Sequence, residues 1–186
     1  MKSKTFFLIL MVAFIFLSCE QETNDKLIYN LNEPDILASD DYNIYNLIAN
    51  PYSPKLEKIF IDQKTGYVEI DSIELRNING FNNLLIINYN KEKLHNKFLD
   101  EDSFLNENNV ILIPVNDDDR NVFNNIYNSP HGRFLSNIGY NEDMSEAIVG
   151  VIDRIDCGMM YYTYYLKKAN SIWSINWSSN YGITCD

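Results

Sequence analysis

The amino-acid sequence predicts an α+β domain, with helices packed against antiparallel sheet and a four-stranded meander at its C-terminal end. Three observations carry that expectation. Four β-favouring runs follow one another at short spacing over 133–140, 146–153, 158–168 and 171–179. Two earlier stretches, 40–49 and 116–127, repeat apolar residues at helical spacing. The 186 residues, 46% of them hydrophobic, suit a single core once a leader segment is set aside.

Taken in chain order, Tyr42, Tyr45, Ile48 and Ala49 share one helical face, and Pro51 ends that segment. Residues 56–62 and 67–75 alternate apolar and polar side chains, as half-buried strands do, with Gln63-Lys64-Thr65-Gly66 as a hairpin turn between them. The run LLIINY at 84–89 has no polar alternation and reads as a buried strand. Leu94, Phe98 and Leu105 fall on one helical face, with Asp100 placed to cap a second short helix. VILIPV at 110–115 is a further strand, with Pro114 favouring its end. Asn116-Asp117-Asp118-Asp119 then opens a helix carrying Val122, Phe123, Ile126 and Tyr127. In the meander, Trp173, Ile175 and Trp177 alternate with Ser174, Asn176 and Ser178, which places the three apolar residues on one face. A turn at 168–171 sets Lys167 opposite Ile172 and Cys157 near Gly182, three residues short of Cys185.

The first residues carry an address. Lys2 and Lys4 precede an uncharged run from Phe6 to Leu17, too short to span a bilayer, which needs roughly 20 residues. It fits the apolar core of a secretory signal, about 7–15 residues long. No pair of small residues is spaced for ordinary cleavage. Leu17-Ser18-Cys19 instead resembles the lipobox of bacterial lipoproteins, although Phe16 stands where leucine is usual. That resemblance implies a signal peptide at 1–18, a lipidated Cys19, and a polar tether at 19–35 ahead of one domain at 36–186. Several acyl chains anchor stably, whereas a single chain binds marginally. The implied setting is the cell envelope, lipid-anchored to the outer membrane and facing the periplasm or the surface. The acidic residues directly behind Cys19 also resemble lipoprotein surface-export signals of Bacteroidota.

Composition narrows the partners. The formal charge is −11, and loss of Lys2 and Lys4 with the signal takes it to −13. Such a chain repels phosphate backbones, so nucleic acid is not an expected partner. With Cys19 acylated, Cys157 and Cys185 are left in an oxidising compartment, where a disulfide persists. Its loop of about 29 residues would contribute roughly 3–4 kcal/mol on the chain-entropy account. Reduced, buried thiols are the alternative.

Catalytic patterns are sparse. The chain has neither a Gly-x-Ser-x-Gly elbow nor a Ser-x-x-Lys pair. Pairing Cys157 with His131 as nucleophile and base would need a reduced thiol. His95 and His131 do not cluster as zinc ligands do, and both read as surface residues. An EF-hand begun at Asp117 fails, because Val122 stands where the loop needs glycine and Asn128 where it needs glutamate. No metal or other cofactor is called for. The distinctive feature is aromatic density: Tyr161, Tyr162, Tyr164, Tyr165, Trp173, Trp177 and Tyr181. Tyr161, Tyr165, Trp173 and Trp177 fall at alternating positions expected of a core, which leaves Tyr162, Tyr164 and Tyr181 as candidate binding aromatics.

From Ile126 onward the chain also resembles a family of uncharacterised secreted proteins common in Bacteroidota. The motifs that carry this are Tyr127 to Gly132, Ser136-Asn137-Ile138-Gly139-Tyr140-Asn141, and Ala147-Ile148-Val149-Gly150-Val151. Cys157-Gly158, Tyr164-Tyr165-Leu166-Lys167 and Trp173 follow in order. Asn137 replaces the family's arginine, and Cys185 lies far from the first cysteine instead of beside it. The resemblance implies a fold and an extracytoplasmic setting, and brings no catalytic residue. The expected function is a non-enzymatic binding or interaction module with a protein or carbohydrate partner. An envelope hydrolase using a carboxylate pair and an acidic inhibitor or immunity-type lipoprotein are the alternatives.

Overall fold

The computed structural model describes residues 37–49, 58–92, 95–105, 109–128, 132–155 and 158–184. All lie in one compact unit, Pro34–Asp186. The expected signal peptide, Cys19 and the expected tether fall outside the described residues. In chain order the elements are α1 (Ser39–Ala49), β1 (Ile59–Asp62), α2 (Ser72–Asn77) and α3 (Leu84–Glu92), then a 3-10 turn (Glu101–Ser103), β2 (Val110–Ile113) and α4 (Asp117–Tyr127). The remaining strands are β3 (Arg133–Leu135), β4 (Gly139–Tyr140), β5 (Glu146–Ile155), β6 (Gly158–Ala169) and β7 (Ile172–Thr184).

The α+β class holds. Among the described residues the sheet has seven strands in the order β2-β1-β3-β5-β6-β7, with β4 also paired to β5. Strands β5, β6 and β7 form the long antiparallel meander. The far end differs from an all-antiparallel sheet, because β1 runs parallel to both β2 and β3. Parallel neighbours need crossover connections, and the segments holding α2, α3 and α4 supply them.

Helices cover both faces. On one, Ile44, Tyr45 and Ile48 of α1 pack into a cluster with Leu135, Val149, Val151, Leu166 and Trp173. On the other, Leu75, Leu85, Ile86 and Tyr89 from α2 and α3 pack with Ile148 and Tyr165. Alternation along β5 and β6 thus feeds two cores, so neither face of the meander reads as plainly solvent-facing.

Several sequence expectations are corrected. LLIINY is the start of helix α3, because Leu85, Ile86 and Tyr89 alone are buried while Leu84 and Ile87 are exposed. Asn82 Oδ1 accepts from the Leu84 N–H at 3.0 Å and so marks the start. An apolar run without alternation cannot by itself separate these two states. The alternation at 67–75 is real as far as Val68 and Ile70, both buried. There Asp71 accepts from the Glu74 N–H and turns the chain into α2. No hairpin forms at 63–66; Gly66 bridges in parallel to Ser136 instead. The helix expected through Phe98 and Leu105 is absent among the described residues, though Asp100 does cap the 3-10 turn. Asn116 caps α4 as the acidic run predicts, its Oδ1 accepting from the Asp118 N–H at 2.8 Å.

The meander's first strand is broken into β3 and β4 by Ser136-Asn137-Ile138. Both halves still pair with β5. Its last turn is tighter than expected: Ala169 pairs with Ile172, with Asn170 and Ser171 at φ 50° and 65°. These left-handed values suit a two-residue turn that matches strand twist. A bulge then shifts the register, Ile175 facing Leu166 and Trp177 facing Tyr165, which leaves Asn176 as the extra residue. Trp173 therefore enters the α1 core while Trp177 packs against the α2–α3 core, on the opposite face.

A Cβ at Gly139 would stand 2.7 Å from the Tyr89 Cα and 2.8 Å from its backbone nitrogen, so helix α3 would have to move. Gly139→Ala should lower stability by about 3 kcal/mol in urea unfolding; an unchanged midpoint would disprove the close packing. Cys157 and Cys185, expected from the sequence to form a disulfide, lie outside the described residues. Alkylation of the mature protein should label neither cysteine before reduction and both after it. Labelling without reductant would show free thiols.

Candidate interaction surface

The charged clusters of the domain are fasteners. Asp62, 3% exposed, receives Arg120 Nη2 at 2.7 Å on Oδ1. Arg154 Nη2 stands 3.1 Å from Oδ2 as an ion pair too oblique for a hydrogen bond. Arg133 donates to both oxygens of Asp153 and to the carbonyls of Ile48 and Ala49, so it closes the C-terminal end of α1 onto the sheet. Burial alone would depress this guanidinium, and the Asp153 pair more than offsets it, leaving its pKa raised. Tyr140 donates to buried Asp41 at 2.7 Å, and burial together with that carboxylate pushes the phenol well up. The carboxylates Asp41 and Asp62 and the Arg133 guanidinium are enclosed and held by neighbours, which suits fixing elements in place. Among the described residues no cluster of His, Cys, Asp and Glu could hold a metal ion. No helix among them is long and apolar enough to cross a membrane.

The two sheet edges differ. At β2, the Leu112 N–H donates to Glu101 Oε2 at 3.4 Å, so the 3-10 turn closes part of that edge. At β7, the outer edge meets no other strand among the described residues. This edge is also the longest strand, 13 residues, and it holds no charge and no proline. The uncharged stretch runs from Ala169 to Cys185 in a chain of net charge −11. Protein edges are ordinarily guarded by lysine, proline or a bulge; here the guard is the single bulge at Asn176.

Beside that edge stands an aromatic stack. Tyr161 and Tyr181 are direct cross-strand partners, with ring centroids 4.9 Å apart and planes 3° from parallel. They end a row across the sheet formed by Phe134, Ile152, Tyr161 and Tyr181. Tyr161 covers one ring face of Tyr181, which is 39% exposed. Partial burial and then the nearby Glu69 carboxylate raise the Tyr181 pKa, so its hydroxyl stays neutral.

Of the expected binding aromatics, Tyr181 is at the surface. Tyr164 is 3% exposed within the α1 core, and Tyr162 is half-buried against it. Tyr161, placed in the core by the alternation pattern, instead forms the stack. Its partner could not be read from a register two to three residues out of step. His95 is half-buried, and His131 lies outside the described residues.

The end of β6 is pinned to α1 by Lys168, whose Nζ lies 2.7 Å from Asp40 Oδ2 and 5.4 Å from the ring centroid of Trp173, at the start of β7. The hydrogen bond from Lys168 holds Asp40 below its ordinary 3.8. A depressed carboxylate stabilises the fold above its unfolded value, and that contribution is lost as pH falls through the folded one. Lys168→Met should thus lower stability by about 1 kcal/mol at neutral pH. The deficit should shrink as pH drops below 3.8. A deficit constant across that window would assign the loss to Trp173 packing instead.

Compared with known proteins, the chain matches no family model, no curated protein and no solved structure.

Proposed function

We propose that the chain is a lipid-anchored, non-enzymatic interaction module of the cell envelope that takes a protein partner along the β7 edge by strand addition. The observation that carries this reading is the uncharged edge of β7, unpaired among the described residues, beside the Tyr161–Tyr181 stack. An extended partner strand would pair with the outward N–H and C=O groups of β7, and side-chain contacts at alternate positions would select it. A saccharide is the poorer fit, because the rings spend one face on each other and a single ring face of Tyr181 is left to stack on. The anchor rests on Leu17-Ser18-Cys19 and the uncharged run before it.

A photo-crosslinking residue placed at position 180 in cells should yield protein adducts. The same residue at position 87, exposed on α3, should yield none. The absence of adducts at 180 would remove the reading. Cys19→Ser should release the protein from the detergent phase, and continued retention there would refute the lipid anchor.

A further inference from the structure

The β7 edge is self-complementary, and we infer that its occupant is the β7 strand of a second copy of this chain. This inference rests on the strand-addition reading above and names its partner. Charge is the first argument. At −11, two copies repel over most of their surfaces. Like charges directly opposite one another also destabilise a strand pair. Strand β7 is the edge on which two copies can abut with no charge facing another, since residues 169–185 contain none.

Register is the second argument. The bulge at Asn176 interrupts alternation, so the regular run begins at Trp177. From there Trp177, Ser179 and Tyr181 share the face of Tyr165, Thr163 and Tyr161, while Ser178, Asn180 and Gly182 share the other. Antiparallel pairing sets like face against like only in certain registers. A two-fold axis at Asn180 satisfies this, placing Ser179 opposite Tyr181 of the second copy and Ser178 opposite its Gly182. The crowded side is matched as well: a Cβ on Gly182 would meet Met160 Sδ, and serine is the residue brought against it. Ser179 of the second copy would then lie against the open ring face of Tyr181. The second Tyr181 would stand diagonally beside it, within reach of an aromatic side chain.

The third argument is the contrast between edges. Strand β2 offers a four-residue edge partly closed by Glu101, so addition there is short and obstructed. Strand β7 offers the uninterrupted run from Trp177 to Thr184, with no charge along it. Pairing at β7 makes one continuous sheet across the two copies and leaves β2 as its two outer ends.

Full-length chains carrying two different tags should co-purify from detergent-solubilised envelopes. Asn180 is exposed and sits on the proposed axis, so Asn180→Glu in both copies sets carboxylate against carboxylate and should reduce co-purification at least about tenfold. Asn180→Lys in both should do the same. A Glu copy mixed with a Lys copy should recover it, which a folding defect could not produce. Failure of wild-type copies to co-purify, or Glu copies that pair as well as wild type, would overturn the inference. The adduct at position 180 separates the two levels. A mass of two chains supports self-pairing. A different protein there ends self-pairing while leaving strand addition intact, and no adduct ends both.

Discussion

The architecture depends on a buried polar knot at Ser136-Asn137. Both residues are at most 1% exposed, where an unsatisfied polar group costs about 1–3 kcal/mol. The knot leaves little unsatisfied. Ser136 Oγ donates to the Asn137 carbonyl and accepts from the Gly150 N–H, while the Ser136 carbonyl accepts from the Tyr45 hydroxyl. The Asn137 amide donates to the carbonyls of Glu92 and His95, and its oxygen accepts from Thr65 Oγ1 at 2.5 Å. One dipeptide thus joins α1, the end of α3, the loop after β1, and β5. Because it breaks the strand, β3 can continue the parallel pairing with β1 while β4 turns to receive α3 against Gly139. The mixed sheet follows from that break.

This explains which parts of the fold were legible in sequence. The meander was, because β5, β6 and β7 pair locally and their side-chain patterns need only near neighbours. The start of α4 was, because Asn116 and the following aspartates cap a helix through contacts within one turn. The mixed sheet was not: β1 lies between β2 and β3, and nothing local to IFID or VILI specifies a parallel partner some fifty residues away. Helix α3 was missed because its exposed Leu84 and Ile87 filled the gaps that would have shown helical period. At the candidate surface, Tyr181 was legible as an aromatic outside the alternating core set. The stack was not, because a bulge is a choice made by two packed faces. Nothing in SINWSSN announces it.

Charge connects the fold to the proposed role. The acidic excess is distributed over helices, turns and loops, where water solvates it: Asp117, Asp118 and Asp119 on α4, Glu101 and Asp102 on the 3-10 turn, Glu142 and Asp143 between β4 and β5 are all exposed. The enclosed carboxylates Asp41, Asp62, Glu146 and Asp153 each meet a cation, and Asp41 also accepts from Tyr140. Acid at the surface keeps chains apart at long range, and a neutral strand edge permits contact at short range. The combination favours partners that approach along one line.

The bulge at Asn176 reconciles an edge that the proposed pairing needs open with a domain that must not aggregate. Without it, Trp173 and Trp177 would fall on one face, leaving one core without its tryptophan and the whole of β7 flat. With it, each tryptophan enters its own core, and a bulge of this kind adds local twist, which disfavours flat pairing across it. What remains straight is the short run from Trp177, with Tyr181 and Gly182 on its opposite faces. A short straight run limits how much foreign strand can add, and its face pattern limits which register can form. The residue that divides the two cores therefore also sets the length and register of the exposed edge.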